Sequence, residues 1–122
     1  MVVDDQKGII ALMKALFEPM GFEVLVAGDG VTGLDLAREY LPDIVLMDWV
    51  LPRLAGSHVL AALKAEAATA HVPVIFLTAL VSEIPAAVIA EDGVSYLGKP
   101  FDLDVLITLV KDKAGRGRSL AI

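Results

Sequence analysis

The sequence predicts an α/β fold built on a doubly wound, five-stranded parallel sheet. Three observations carry the prediction. Short apolar runs rich in β-branched residues alternate with segments of helical period, the connections between them are short, and the central strand run Ile44 to Met47 is continuously apolar. A sheet with one wet face would alternate apolar and polar residues, so continuous runs call for helices on both faces. Right-handed crossovers then leave a layered sandwich in which sites form at the carboxyl ends of the strands.

Val2 and Val3 are a stub of a first strand, stopped by Asp4 and Asp5. Ile9, Leu12, Met13, Leu16 and Phe17 recur at spacings of 3, 1, 3 and 1, the stripe of an amphipathic helix that Pro19 and Gly21 close. Glu23 to Ala27 reads as the second strand, Gly28 to Gly30 as a turn, and Thr32 to Tyr40 as a second helix ending before Pro42. Ile44 to Met47 is a fully apolar third strand running into Asp48. A loop from Trp49 to Gly56 follows, and Ser57 reads as the N-cap of a third helix reaching Ala67.

Val72 to Leu77 is the fourth strand, Ser82 to Ala90 the fourth helix with Pro85 in its first turn, and Ser95 to Gly98 a short fifth strand. Asp102 caps a last helix whose Leu103, Leu106, Ile107 and Val110 face inward. One domain is expected over residues 1–113, with a flexible tail over 114–122 that carries Arg116 and Arg118. Met13, Met20 and Met47 read as core, and Trp49 as packing at the rim of a site. His58 and His71 have no partner at metal-ligand spacing and read as structural or solvated.

The 122 residues are one domain's worth, and 57% hydrophobic content excludes intrinsic disorder. The net charge of −6 argues against binding nucleic acid or anionic lipid through a basic face. With no cysteine there is no disulfide scaffold, thiol nucleophile or Cys-ligated metal. A mean hydropathy of +0.71 prompts a search for a membrane span. The longest uncharged stretch, Ala67 to Ser82, has 16 residues, short of the ~20 a spanning helix needs. The start, Met1 to Asp5, has neither a basic region nor an apolar signal core. A cytoplasmic domain is expected.

At the strand ends stand Asp4 and Asp5, Asp48, Thr78 and Lys99. Three carboxylates converging at one sheet edge repel each other unless a cation neutralises them. An oxygen-only set suits a hard ion such as Mg²⁺, which binds through one or two carboxylates and leaves positions for phosphoryl oxygens. Lys99 adds a mobile positive charge and Thr78 a hydroxyl donor, so the set can stabilise an incoming dianion.

These residues resemble the receiver domain of two-component response regulators over essentially the whole chain. The motifs are Val3-Asp4-Asp5, then Pro42-Asp43-Ile44-Val45-Leu46-Met47-Asp48, then Leu51-Pro52 with Gly56 eight residues past Asp48. They continue as Pro73-Val74-Ile75-Phe76-Leu77-Thr78-Ala79 and Tyr96-Leu97-Gly98-Lys99-Pro100-Phe101. Each piece alone is weak; five in order at the right strand ends are strong.

The resemblance implies a flavodoxin-like sheet with strand order 2-1-3-4-5. It implies Asp48 as phosphoacceptor for a sensor histidine kinase or phosphotransfer protein, and Mg²⁺ held by Asp5, Asp48 and the Val50 main-chain carbonyl, with Asp4 acting through water. Thr78 and Lys99 would contact the phosphoryl group, and Thr78 with Tyr96 would form a switch. The added charge, roughly −1.5 to −2, would bias a surface of fourth helix, fifth strand and fifth helix toward an output partner. Such a domain assists its own phosphorylation without being a turnover enzyme.

The chain departs from the family pattern in five respects. The first strand is short, and Lys99 follows Thr78 by 21 positions, one fewer than the resemblance leads one to expect. Gly98 replaces a strand former and is expected to loosen the support of Lys99. Val50 and Leu80, each two residues past a site residue, are apolar, which implies slow self-dephosphorylation. The apolar run Ile84 to Ala90 predicts an exposed stripe on the fourth helix, a face for self-association.

Two other readings compete. A pseudo-receiver, an interaction module that never carries phosphate, would be marked by loss of Asp48 or Lys99, and both are present. An aspartyl-phosphate phosphatase of the haloacid-dehalogenase type needs a D-x-D motif, whereas Asp4 and Asp5 are adjacent and Trp49-Val50 follow Asp48. There is no Gly-rich nucleotide loop.

Overall fold

The computed structural model describes residues 1–114. In chain order they form β1 (Val2–Val3), α1 (Lys7–Phe17), a 3₁₀ turn (Glu18–Met20), β2 (Val26–Ala27), α2 (Gly30–Tyr40), β3 (Val45–Met47) and α3 (Gly56–Ala65). Then come β4 (Val74–Thr78), a second 3₁₀ turn (Val81–Glu83), α4 (Ala86–Ile89), β5 (Val94–Gly98) and α5 (Leu103–Ala114). The strands pair in parallel in the order β2-β1-β3-β4-β5, the doubly wound α/β sheet that the sequence predicts in the flavodoxin-like order that the resemblance implies.

The inner strands β1, β3 and β4 are buried on both faces, which is why they are apolar up to the polar residues that end them. Val3, Val45, Met47, Val74 and Phe76 pack against Leu34 and Ala37 of α2 and Val59, Leu60 and Leu63 of α3. Their neighbours Val2, Leu46, Ile75 and Leu77 pack on the other side against Met13 and Phe17 of α1 and Leu106 and Val110 of α5. Each large side chain so buried stabilises the fold by roughly 1.5–3 kcal/mol.

The two-residue β1 is better anchored than its length implies, because its ladder continues past both ends. The Met1 amine donates to the Ile44 carbonyl at 2.7 Å, and burial lowers that amine's pKa well below its ordinary value. Leu46 N donates to Met1 O at 2.8 Å, Asp4 N to Ala27 O at 3.0 Å and Asp48 N to Val3 O at 3.0 Å. Gly33 lets α2 lie directly on this strand, since a Cβ there would meet Val3 Cγ2 at 2.9 Å.

Several local expectations are corrected. The fourth helix does not run from Ser82 to Ala90. Ile84 precedes a proline, which disfavours α geometry, and it adopts φ −75 and ψ 119. The segment therefore breaks into a 3₁₀ turn and a single α turn after Pro85. Ile84 is buried, so the expected exposed apolar stripe shrinks to Pro85, Ala86, Ala87 and Ala90.

Ser57 is not the cap of α3: Ala55 holds that position without a side-chain bond, and Ser57 lies inside the helix. The helix stops at Ala65 rather than Ala67, where the Thr69 hydroxyl donates to the Leu63 carbonyl at 2.7 Å. α2 starts two residues early, at Gly30, because the Asp29 carboxylate accepts from Thr32 N at 2.8 Å. β2 shortens to the two residues that β1 can pair.

Met20, on the 3₁₀ turn after Pro19, is exposed rather than core. Leu103 turns away from the core and, with Ile9, Leu12 and Phe101, lines a groove of about 580 Å³ beside Lys99. Ala114 closes α5 as a buried residue, and the rest of the expected tail, 115–122, lies outside the described residues.

Candidate functional site

β1, β3, β4 and β5 deliver the predicted residues to one edge of the sheet. Asp4 and Asp5 follow β1, Asp48 follows β3, Thr78 ends β4 and Lys99 follows β5. The Asp4, Asp5 and Asp48 carboxylates each offer an oxygen, all within 4.8 Å of one another. Asp4 is buried and Asp5 exposed.

The Lys99 ammonium lies among them. It donates to Asp4 Oδ2 at 2.8 Å, to Asp48 Oδ2 at 3.0 Å and to Gln6 Oε1 at 3.1 Å. Burial acts to lower the lysine's pKa, but the hydrogen bonds and charges of Asp4 and Asp48 outweigh it, and the net direction is up. The ammonium stays charged and the carboxylates stay close despite their repulsion.

Backbone bonds fix the supports of these side chains. Lys99 N donates to the Thr78 carbonyl at 2.9 Å, which ties the lysine's main chain to the end of β4. That bond offsets the loosening expected at Gly98, whose missing side chain leaves room for Val81, 3.3 Å from where a Cβ would stand. Gln6 N donates to Asp4 Oδ1 at 2.9 Å and Val50 N to Asp48 Oδ1 at 3.2 Å. Leu80 N donates to the buried Thr78 hydroxyl oxygen at 3.1 Å.

Gly56 lets the chain return beneath the site: a Cβ there would come within 2.7 Å of the Asp48 carbonyl oxygen. Trp49 packs edge-on against Phe76, ring centroids 5.2 Å apart, at the rim as expected.

A profile of the family described as the response regulator receiver domain matches residues 1–111. The chain belongs to that family. Among its relatives, the polar-differentiation response regulator DivK of Brucella anthropi is 34% identical, over 94% of each chain. DivK of Brucella ovis matches to the same extent. The receiver domain of the sensor histidine kinase PA1611 from Pseudomonas aeruginosa superposes with a TM-score of 0.83 at 26% identity, covering 94% of this chain and 95% of that one. That structure has a magnesium ion coordinated in its active-site cleft. The receiver domain of the Francisella response regulator 1452 gives 0.79 at 34% identity over 93% of both.

The protein is therefore a DivK-like receiver domain of the two-component response regulators. Such domains are signalling modules rather than classical enzymes and work with histidine kinases or phosphotransfer proteins. No helix among the described residues is long and apolar enough to cross a membrane.

Of the residues singled out from the sequence, Asp4, Asp5, Asp48 and Lys99 meet, with Thr78 tied to Lys99 through its carbonyl. Tyr96 does not join them: it is 42% exposed on β5, paired in register with Phe76. Gln6 is the contact that the sequence reading missed. Its signal was local: it starts a helix directly after the acidic pair, where a Ser, Asp or Asn would cap better.

Proposed function

We propose that this receiver domain accepts a phosphoryl group on Asp48 from a histidine kinase or phosphotransfer protein and that the modification shifts a partner-binding face. The observation that carries the reading is the Lys99 ammonium shared between Asp4 and Asp48 at the ends of three parallel strands. Phosphoryl transfer asks little covalent chemistry of a protein beyond a nucleophile; it asks for positioning and charge. Asp48 supplies a carboxylate oxygen to attack phosphorus, and the bond from phosphorus to the donor's imidazole nitrogen breaks. Lys99, released from Asp48 Oδ2, pairs with the phosphoryl oxygens, and the Thr78 hydroxyl donates to them.

The donor set fits magnesium, because three carboxylates and one ammonium leave two negative charges, matched by one divalent hard cation. Asp5, Asp48 and the Val50 main-chain carbonyl would hold it, with Asp4 reaching it through water. When bound, it neutralises oxygens of the incoming group. The other roles fall to the chain's own residues.

Val50 is 55% exposed and Leu80 37%, both beside the site and both apolar. Neither can orient a hydrolytic water, so the acyl phosphate is long-lived. A half-life of minutes or longer supports this, and loss within seconds contradicts it. Thr78 is buried while Tyr96 stands outward on β5, the strand between α4 and α5 in chain order. Movement of Thr78 toward the phosphoryl group opens space for the Tyr96 ring and reshapes that face for an output partner or a second copy of the chain.

The test is incubation with acetyl phosphate and Mg²⁺, followed by intact-mass spectrometry. The parent protein gains one phosphoryl group and Asp48→Asn gains none. A parent that gains nothing favours the pseudo-receiver, acting through contacts alone.

A further inference from the structure

We infer that Gln6 is a positioning residue for Lys99, holding the ammonium at the mouth of the cleft where an incoming phosphoryl group meets it; the inference rests on the phosphoacceptor reading. An ammonium has three N–H donors. Three acceptors meet this one: Asp4 Oδ2, Asp48 Oδ2 and Gln6 Oε1. Asp4 is buried and Gln6 exposed, so Lys99 is stretched between the floor of the cleft and its solvent side. When Asp48 takes a phosphoryl group, its contact with Lys99 is exchanged for one to phosphoryl oxygen. Asp4 and Gln6 keep the ammonium in place through that exchange.

The local chemistry of α1 supports this assignment independently. Gln6 is the helix N-cap, with φ −85 and ψ 110, yet its side chain makes no capping bond. Ser, Asp or Asn would satisfy the free N–H groups of the first turn and stabilise the helix. The chain forgoes that cap, and the amide is used on Lys99 instead. Residues that break a local rule in this way mark functional sites. The acceptor is also neutral. A carboxylate in its place would hold the ammonium equally well but add negative charge against an arriving dianion.

The test compares the parent, Gln6→Ser and Gln6→Glu in three measurements: the rate of phosphoryl uptake from acetyl phosphate with Mg²⁺, the melting temperature, and the Lys99 Nζ–H NMR signal assigned with Lys99→Arg. Gln6→Ser caps the helix but cannot reach the ammonium. It is expected to melt at or above the parent's temperature, to broaden the Lys99 signal, and to take up phosphoryl groups about three- to tenfold more slowly, the equivalent of one hydrogen bond. Gln6→Glu keeps the Lys99 signal and is slowed most at low ionic strength, where its extra charge is least screened. Uptake by Gln6→Ser at the parent's rate overturns the inference, as does a rate that falls only in step with the melting temperature. If the parent itself takes up nothing, the phosphoacceptor reading fails, and an unchanged Lys99 signal in Gln6→Ser then removes the positioning role as well.

Discussion

β4 and β5 lie side by side in the same sheet, yet all five residues of β4 are buried and none of β5 is. The difference divides the site. Asp4, Asp48 and Thr78 hang from β1, β3 and β4, whose side chains are locked between helices on both faces. Tyr96 lies on, and Lys99 directly follows, an edge strand covered by a one-turn α4 with no fully buried residue. Few buried apolar contacts mean a low free energy of local opening. The acceptor carboxylate is thus on the rigid half, and the cation that answers it is on the half that moves most easily. A change of charge at Asp48 acts on Lys99 directly, through the ion pair the two already share.

The largest expected effect is a core truncation on the rigid half. Phe76→Ala is expected to cost about 3–5 kcal/mol in urea unfolding, since it removes a fully buried ring and the support of Trp49. Val88→Ala on α4 is expected to cost about 1 kcal/mol, because that side chain is only partly buried. Equal costs would erase the contrast between the halves.

Next is Gly56→Ala, expected to destabilise by about 1–3 kcal/mol and to slow phosphoryl uptake, because the new methyl group meets the main-chain carbonyl of Asp48. The same substitution at Gly93, where φ is +78 but the nearest atom is 3.5 Å away, carries backbone strain without disturbing the site, so uptake there stays at the parent's rate.

Smaller is a pH effect remote from β5. The Thr32 main-chain N–H, opposed by partial desolvation and helped by the Thr32 hydroxyl and Arg53, holds the Asp29 pKa below its ordinary value. A depressed carboxylate stabilises the fold above the unfolded pKa of ~3.9, and this contribution is lost as pH falls through the lower folded value. Asp29→Ala is expected to flatten that acid limb of the unfolding free energy and to leave the profile at neutral pH parallel to the parent's. The smallest effect is at Leu41, whose φ is +48 at the end of α2. Leu41→Gly relieves the left-handed strain and is expected to raise stability by up to about 1 kcal/mol in the same unfolding assay.

The rigid half was the legible half. Continuous apolar runs at Ile44 to Met47 and Val72 to Leu77 specified strands buried on both faces, and the polar residues ending them specified where a site would form. The segment from Ser82 to Ala90 was misread because its apolar composition fits a helix while Pro85 decides its geometry through Ile84. Ser57 was misread because a good capping residue does not fix where a helix begins. Here the approach of Gly56 to the Asp48 carbonyl sets the start. Gln6 escaped notice because its contact with Lys99 spans 93 residues of sequence. Composition and spacing do not report such a pairing.

Amide hydrogen exchange, measured on the parent and on Asp48→Asn with and without acetyl phosphate and Mg²⁺, reads both halves at once. The account predicts that phosphodonor alters exchange across residues 81–101 of the parent, leaves residues 44–47 and 74–77 unchanged, and does nothing to Asp48→Asn. An unresponsive parent, or the same response in Asp48→Asn, would contradict it.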